Sequence, residues 1–213
     1  MKKALLFVLA LVASGCADPI PRNLDGLVQQ GDTYLDRETM RPYSGPVFEL
    51  ASDDTTRVQF ISNLKDGKYD GPLESYYENG QLSQKGTYVA GKRHGPFEDY
   101  YKNGQLYSKS HLVDGKRDGP YERYAENGQL EVKGPYVAGE WHGLVESYHE
   151  NGQLDTKYTY VDGVWHGPWE WYHENGQFYG KGTFNMDENC GQSFISGRTQ
   201  TYDPCPPGLA DGN

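Results

Sequence analysis

Between Lys65 and Phe184 the chain alternates runs of aromatic and aliphatic residues with short groups of Gly, Asn, Asp and Pro. Within each run the apolar positions fall on every second residue, which is the period of a β-strand. In the run from Gly95 to Lys116, Phe97, Tyr101, Leu106 and Leu112 share one face. The other face carries Glu98, Tyr100, Lys109 and Val113. Both faces are partly apolar, so the pattern predicts strands without marking one face as a dry core.

The strands are predicted to pair as hairpins. Tyr76–Leu82 reads Tyr-Tyr-Glu-Asn-Gly-Gln-Leu and returns as Tyr100–Leu106, Tyr124–Leu130, Tyr148–Leu154 and Tyr172–Phe178, always 24 residues on. Asn-Gly between two strand-like runs is a strong hairpin signal, because a two-residue type I′ turn needs φ > 0 at both central positions. Such a turn puts Lys102 opposite Gln105, Tyr101 opposite Leu106, Tyr100 opposite Tyr107 and Glu98 opposite Lys109. The last pair repeats as Glu74/Lys85, Glu122/Lys133, Glu146/Lys157 and Glu170/Lys181. Opposed charges across a strand pair contribute about 0.2–1 kcal/mol. Asp114-Gly115-Lys116-Arg117-Asp118-Gly119-Pro120 and its equivalents read as the second turn, so hairpin follows hairpin as a meander. A fixed short period marks a repeat architecture.

The motifs Lys85-Gly86-Thr87-Tyr88, Gly91-Lys92-Arg93-His94-Gly95-Pro96 and Tyr100-Tyr101-Lys102-Asn103-Gly104-Gln105-Leu106 resemble the bacterial variant of the MORN repeat. A weaker copy precedes the array at Pro42–Pro46 through Asn63. The resemblance implies an all-β fold, an elongated antiparallel meander of stacked hairpins, and roles in binding and scaffolding rather than catalysis. Many proteins that look like this variant carry an antitoxin label, so neutralisation of a partner toxin is the alternative role it implies.

Around the array, residues 1–15 read as a signal peptide: Lys2 and Lys3, then an apolar run from Ala4 to Ala13. Ala13-Ser14-Gly15-Cys16 resembles the lipobox of bacterial lipoproteins. That resemblance implies cleavage before Cys16, its acylation, and attachment to a membrane of the cell envelope; Ala17 after Cys16 points to the outer membrane. More than one acyl chain gives stable anchoring. Residues 16–30 read as a tether, 31–64 as an N-terminal cap with the degenerate repeat, 65–184 as five repeats, and 185–213 as a C-terminal cap and tail. With Cys16 assigned to lipid, Cys190 and Cys205 read as a disulfide stapling that cap, plausible in an exported chain. A metal pair is the rival reading, but no His lies near them in sequence.

Composition narrows the chemistry. The chain of 213 residues has 27 Gly, 18 Tyr and a net charge of −10, an acidic balance that argues against nucleic-acid binding. His94, His142 and His166 share one repeat position, and His149 and His173 another. Equivalent atoms in successive hairpins lie about 9–10 Å apart, too far for ligands that sit about 2 Å from one metal ion. No metal or other cofactor is therefore expected. The Glu column repeats one environment five times, whereas acid–base catalysis needs two unlike ones, and no nucleophile or phosphate motif is present. The expectation is a non-enzyme. The one asymmetry is late in the array. All four Trp (Trp141, Trp165, Trp169, Trp171) fall in two repeats, together with His149 and His173. They mark either a surface for a protein or glycan partner or packing against the C-terminal cap.

Overall fold

A computed structural model describes residues 20–209. The signal segment, Cys16 and the start of the tether lie outside the described residues, as do residues 210–213. The chain divides into two compact units between Gln105 and Leu106. In the first, β1 (Arg22–Asn23) leads through a single 3-10 turn to the hairpin β2 (Leu27–Gln30) and β3 (Thr33–Asp36). The meander follows as β4 (Gly45–Leu50), β5 (Val58–Lys65), β6 (Lys68–Tyr69), β7 (Gly71–Tyr76), β8 (Leu82–Val89), β9 (Lys92–Arg93) and β10 (Gly95–Tyr100). The second unit is meander throughout: β11 (Leu106–Val113), β12 (Lys116–Tyr124), β13 (Leu130–Val137), β14 (Glu140–Trp141), β15 (Gly143–Tyr148), β16 (Leu154–Val161), β17 (Val164–Tyr172), β18 (Phe178–Asn185), β19 (Glu188–Ile195) and β20 (Arg198–Thr201). The long strands of the meanders pair antiparallel in chain order, as the sequence pattern predicts, and the short β6, β9 and β14 pair back on the strand before them.

The Asn-Gly loop departs from the two-residue type I′ turn that the sequence predicts. At Asn79-Gly80 the loop holds three residues: Tyr77 N–H donates to the Gln81 carbonyl and Gly80 N–H to that of Tyr77, both at 2.8 Å. Gly80 has φ 81°, while Asn79 does not enter the positive region. This is a type I turn closed by a left-handed glycine. The Asn side chain favours it, since Asn79 Oδ1 accepts the Gln81 N–H at 3.1 Å. The type I′ turns sit at the other link, where Ala90-Gly91, Asp114-Gly115, Ala138-Gly139 and Asp162-Gly163 all have φ > 0. Tyr76 consequently faces Leu82, where a two-residue loop would set Tyr77 there.

The predicted ion-pair register nevertheless holds, because one extra residue in the returning strand cancels the extra loop residue. Ser75 faces Gln84 and Tyr76 faces Leu82, so Ser83 is unpaired and Glu74 meets Lys85. Glu131, Asp155 and Tyr179 are the extra residues of the later hairpins, which restore Glu122/Lys133, Glu146/Lys157 and Glu170/Lys181. Such a bulge increases local twist and turns a side chain toward a new neighbour.

Each unit has a column of buried side chains: Leu73 and Phe97 in the first, and Tyr121, Val145 and Trp169 in the second. The opposing position is small where the column is large. A Cβ on Gly86 would lie 2.3 Å from the Phe97 ring, and one on Gly182 would lie 2.7 Å from Trp169. Tyr158 stands between Val145 and Trp169. Val89, Val113 and Val137, on the other side, are exposed. One face is therefore covered and the other open.

The tether ends earlier than its sequence suggests. Arg22–Asn23 pairs parallel with Val47–Phe48 of β4, and Leu27, Val47 and Leu64 form a buried cluster beneath Tyr34, Tyr43 and Tyr69. Gly67 is buried under the β2–β3 hairpin, its N–H on the Tyr43 carbonyl and its own carbonyl accepting from Tyr34 N–H. At the C-terminal end the meander continues through β19 and β20. The disulfide Cys190–Cys205 fastens the tail to β19, where Gly191 exchanges backbone hydrogen bonds with Tyr202 and Asp203.

Candidate functional site

The residues that define the repeat are occupied in joining one hairpin to the next. At the Asn-Gly edge, Asn79 Nδ2 donates to the Lys102 carbonyl at 2.7 Å and Tyr77 Oη to the Tyr100 carbonyl at 2.6 Å. In the second unit Asn151 Nδ2 reaches the Glu174 carbonyl, and His149 Nε2 lies 2.9 Å from that of Tyr172. At the opposite edge the turn glycines Gly91, Gly139 and Gly163 donate to the carbonyls of Tyr69, Arg117 and Trp141. Asp70 and Asp118 accept from Ala90 and Ala138 N–H, each at 3.1 Å, and His142 Nδ1 lies 3.3 Å from Asp162. His142 and His149 thus take part in these links, at repeat positions that elsewhere hold Asp and Tyr or Ala.

The Glu and Lys columns form ladders along the open face. Lys85 stands between two Glu, facing Glu74 and Glu98, and Lys133 likewise faces Glu122 and Glu146. Its ammonium sits 2.8 Å from the carboxylate of the following hairpin in both cases. Each carboxylate also accepts the hydroxyl of the Tyr two residues on, as in Tyr148 to Glu146 at 3.0 Å and Tyr172 to Glu170 at 2.7 Å. The Lys133 ammonium beside Glu146 holds that carboxyl below its ordinary range. Burial and the neighbouring Glu122 push the Tyr124 phenol up to about 12, and at Tyr172 the hydrogen bond to Glu170 is the larger cause of a rise to about 12. Repeated Tyr–Glu–Lys contacts with the charges mutually satisfied describe a structural ladder. Among the described residues no group of three or more His, Cys, Asp or Glu could hold a metal ion.

The late aromatic cluster resolves into parts with different duties. Trp169 is 2% exposed and belongs to the core, packed over Gly182 beside Ser193 of β19; it offers no surface to a partner. Trp141 and Trp165 are half-buried and join a row of rings on the covered face. Arg117 lies over Tyr121 at 4.3 Å and over Tyr136 at 5.3 Å. Tyr136 meets Trp141 at 4.0 Å, Trp141 meets Tyr160 at 6.4 Å, and Trp165 stacks between Tyr158 and Phe184 at 5.0 and 5.2 Å. Trp171 is half-buried, donates its indole N–H to Tyr158 Oη at 2.6 Å and stacks on Tyr179. His173 is exposed and sits edge-on to Tyr179. Tyr136, Tyr158, Tyr160 and Arg117 were missing from the sequence-based cluster. The register Tyr136↔Trp141 and Tyr160↔Trp165 brings in Tyr136 and Tyr160, and Tyr158 enters opposite Trp169; the first two pairs are readable once the I′ turn is placed at Ala138-Gly139 and Asp162-Gly163.

This geometry defines a β-hairpin repeat protein with an aromatic row on its covered face. The model of the MORN repeat variant matches residues 69–90, 93–114, 117–138, 141–162 and 165–186, five segments of 22 residues that make up 110 of the 213. The chain belongs to that family. No curated protein matches it. A solved structure titled "Crystal Structure of TarM" aligns over 45% of this chain and 18% of its own length, with 11% identity and a TM-score of 0.28.

Proposed function

We propose that this MORN-repeat protein is a non-enzymatic binding scaffold of the bacterial cell envelope, held at a membrane by lipid on Cys16. The observation that carries the binding role is the contrast between two residue classes. The repeated polar residues are spent on bonds between hairpins, whereas Arg117, Tyr136, Trp141, Tyr160 and Trp165 present partly exposed rings and a guanidinium in one row. Rings with polar tips suit a protein or glycan surface, because each brings large apolar area at low entropic cost together with a hydrogen-bonding handle. The anchoring half of the proposal is supported by the sequence from Lys2 to Cys16.

The test uses the lipidated chain and a Trp141→Ala/Trp165→Ala variant, each crosslinked in intact envelopes and also mixed with purified glycan fragments. The expected result is one partner retained by the wild type and lost at least about tenfold by the variant, the least that removing aromatic anchors costs, with the circular dichroism spectrum unchanged. Equal retention by both proteins would remove the aromatic row from the account.

A further inference from the structure

We propose that Asn175-Gly176 is the chain's preferred site of spontaneous deamidation and isoaspartate formation, and that the fold shields Asn151-Gly152 from the same reaction. The chemistry belongs to Asn-Gly as such. After base removes the Gly amide proton, the nitrogen attacks the Asn Cγ. An N–Cγ bond forms, the Cγ–Nδ2 bond breaks, and Nδ2 leaves as ammonia. Water then opens the resulting succinimide at one carbonyl or the other, giving Asp or isoaspartate. Glycine permits the closure because it has no Cβ to obstruct the ring.

Two restraints are common to the Asn-Gly loops. The attacking nitrogen is held in the turn, Gly152 to His149 and Gly176 to His173, both at 2.8 Å. The Asn Oδ1 accepts from the Gln two residues on, at 2.9 Å for Asn151 and 3.0 Å for Asn175. The third restraint differs. Asn151 Nδ2, the leaving group, donates to the Glu174 carbonyl of the next hairpin, as Asn79 does to Lys102. Asn175 Nδ2 has no partner among the described residues. The reason lies in the register. β17 and β18 pair out to Tyr172↔Phe178, but β19 reaches only as far as Gly180, opposite Ile195. The last Asn-Gly loop therefore extends past its neighbour, and Asn175 is exposed.

The chain contains its own control. Tyr148–Gln153 and Tyr172–Gln177 have the same sequence, Tyr-His-Glu-Asn-Gly-Gln, so any difference in rate between the two loops is a property of the fold. One ordinary hydrogen bond changes a local opening equilibrium by a factor of about 2 to 10.

The experiment incubates the full-length protein at mildly alkaline pH, natively and in strong denaturant, and follows the amide-to-acid mass gain in each Asn-Gly peptide. Isoaspartate is distinguished by fragmentation. The expected result is conversion at Asn175 about 2- to 10-fold faster than at Asn151 in the native protein, with the two rates equal in denaturant. An Asn175→Gln variant should lose the fast phase and leave the slower sites unchanged. Equal native rates, any other Asn reacting fastest, or a difference that survives denaturation would overturn the proposal.

Discussion

A methyl group added at Gly86 tests whether the core rests on paired large and small positions. The Gly86→Ala Cβ would lie 2.3, 2.4 and 2.5 Å from three atoms of the Phe97 ring, against about 3.5–4.0 Å for ordinary carbon contact. The ring has little room to retreat. Phe97 is 2% exposed, meets Tyr88 edge-on at 5.9 Å, and has the Arg93 guanidinium over it at 5.4 Å. Overpacking of this kind costs about 1–3 kcal/mol. Gly86 does not have a positive φ, so the backbone accepts Ala, and the reduced freedom of the unfolded chain returns about 0.4–1 kcal/mol. The net expectation is a destabilisation of about 1–2 kcal/mol, or a fall of about 2–8 °C in melting temperature for a chain of this size. Phe97→Leu in the same chain should recover part of the loss by vacating the ring, although alone it destabilises. Gly26→Ala, with nothing within 4 Å of the new Cβ, is the control for the unfolded-chain effect alone and should gain about 0.4–1 kcal/mol. Each repeat contacts only its neighbours in such an array, so hydrogen exchange should quicken around Tyr88 and Phe97 and not in the distant hairpins β15 to β18. A Gly86→Ala protein as stable as the wild type, or no coupling with Phe97→Leu, would refute the reasoning.

Three further outcomes follow from the same geometry. The phenols of Tyr124 and Tyr172 are raised to about 12 in the fold, while in the unfolded chain they ionise near their ordinary value of about 10. Between these two values the native state holds more protons, so stability should fall as pH climbs from about 10 to about 12; phenolate absorbance followed beside circular dichroism checks this. Cys190→Ser/Cys205→Ser opens a loop with a sequence separation of 15 and should cost about 3 kcal/mol locally, seen as faster exchange in β19 and β20 with the earlier hairpins unaffected. Asn79→Ala removes both the bond to Lys102 and the loop bond to Gln81, with an expected loss of about 1–3 kcal/mol by denaturant unfolding.

The period, the hairpins and the Glu–Lys register were legible because each repeats five times and the pairing rules are local. The loop type was not. Asn-Gly signals a tight turn, but whether Asn takes a positive φ or bonds through its side chain depends on Ser83, one residue past Leu82, being free to bulge. The ion pair is insensitive to that choice, which is why it was read correctly from a loop of the wrong length. The role of Trp169 was obscured for a different reason. A single sheet does not announce which face its own side chains will cover, and only the small Gly182 opposite hints that Trp169 lies flat and buried. The row formed by Tyr136, Trp141, Tyr160 and Trp165 depends on the true I′ turns and stayed hidden until these were placed.

The most direct measurement on the proposed anchored scaffold is the intact mass of the expressed chain, with membrane fractionation, beside a Cys16→Ala variant. The account predicts loss of residues 1–15, a mass gain of lipid size on Cys16, and membrane retention that the variant abolishes. A soluble, unmodified protein that keeps Met1 would contradict it.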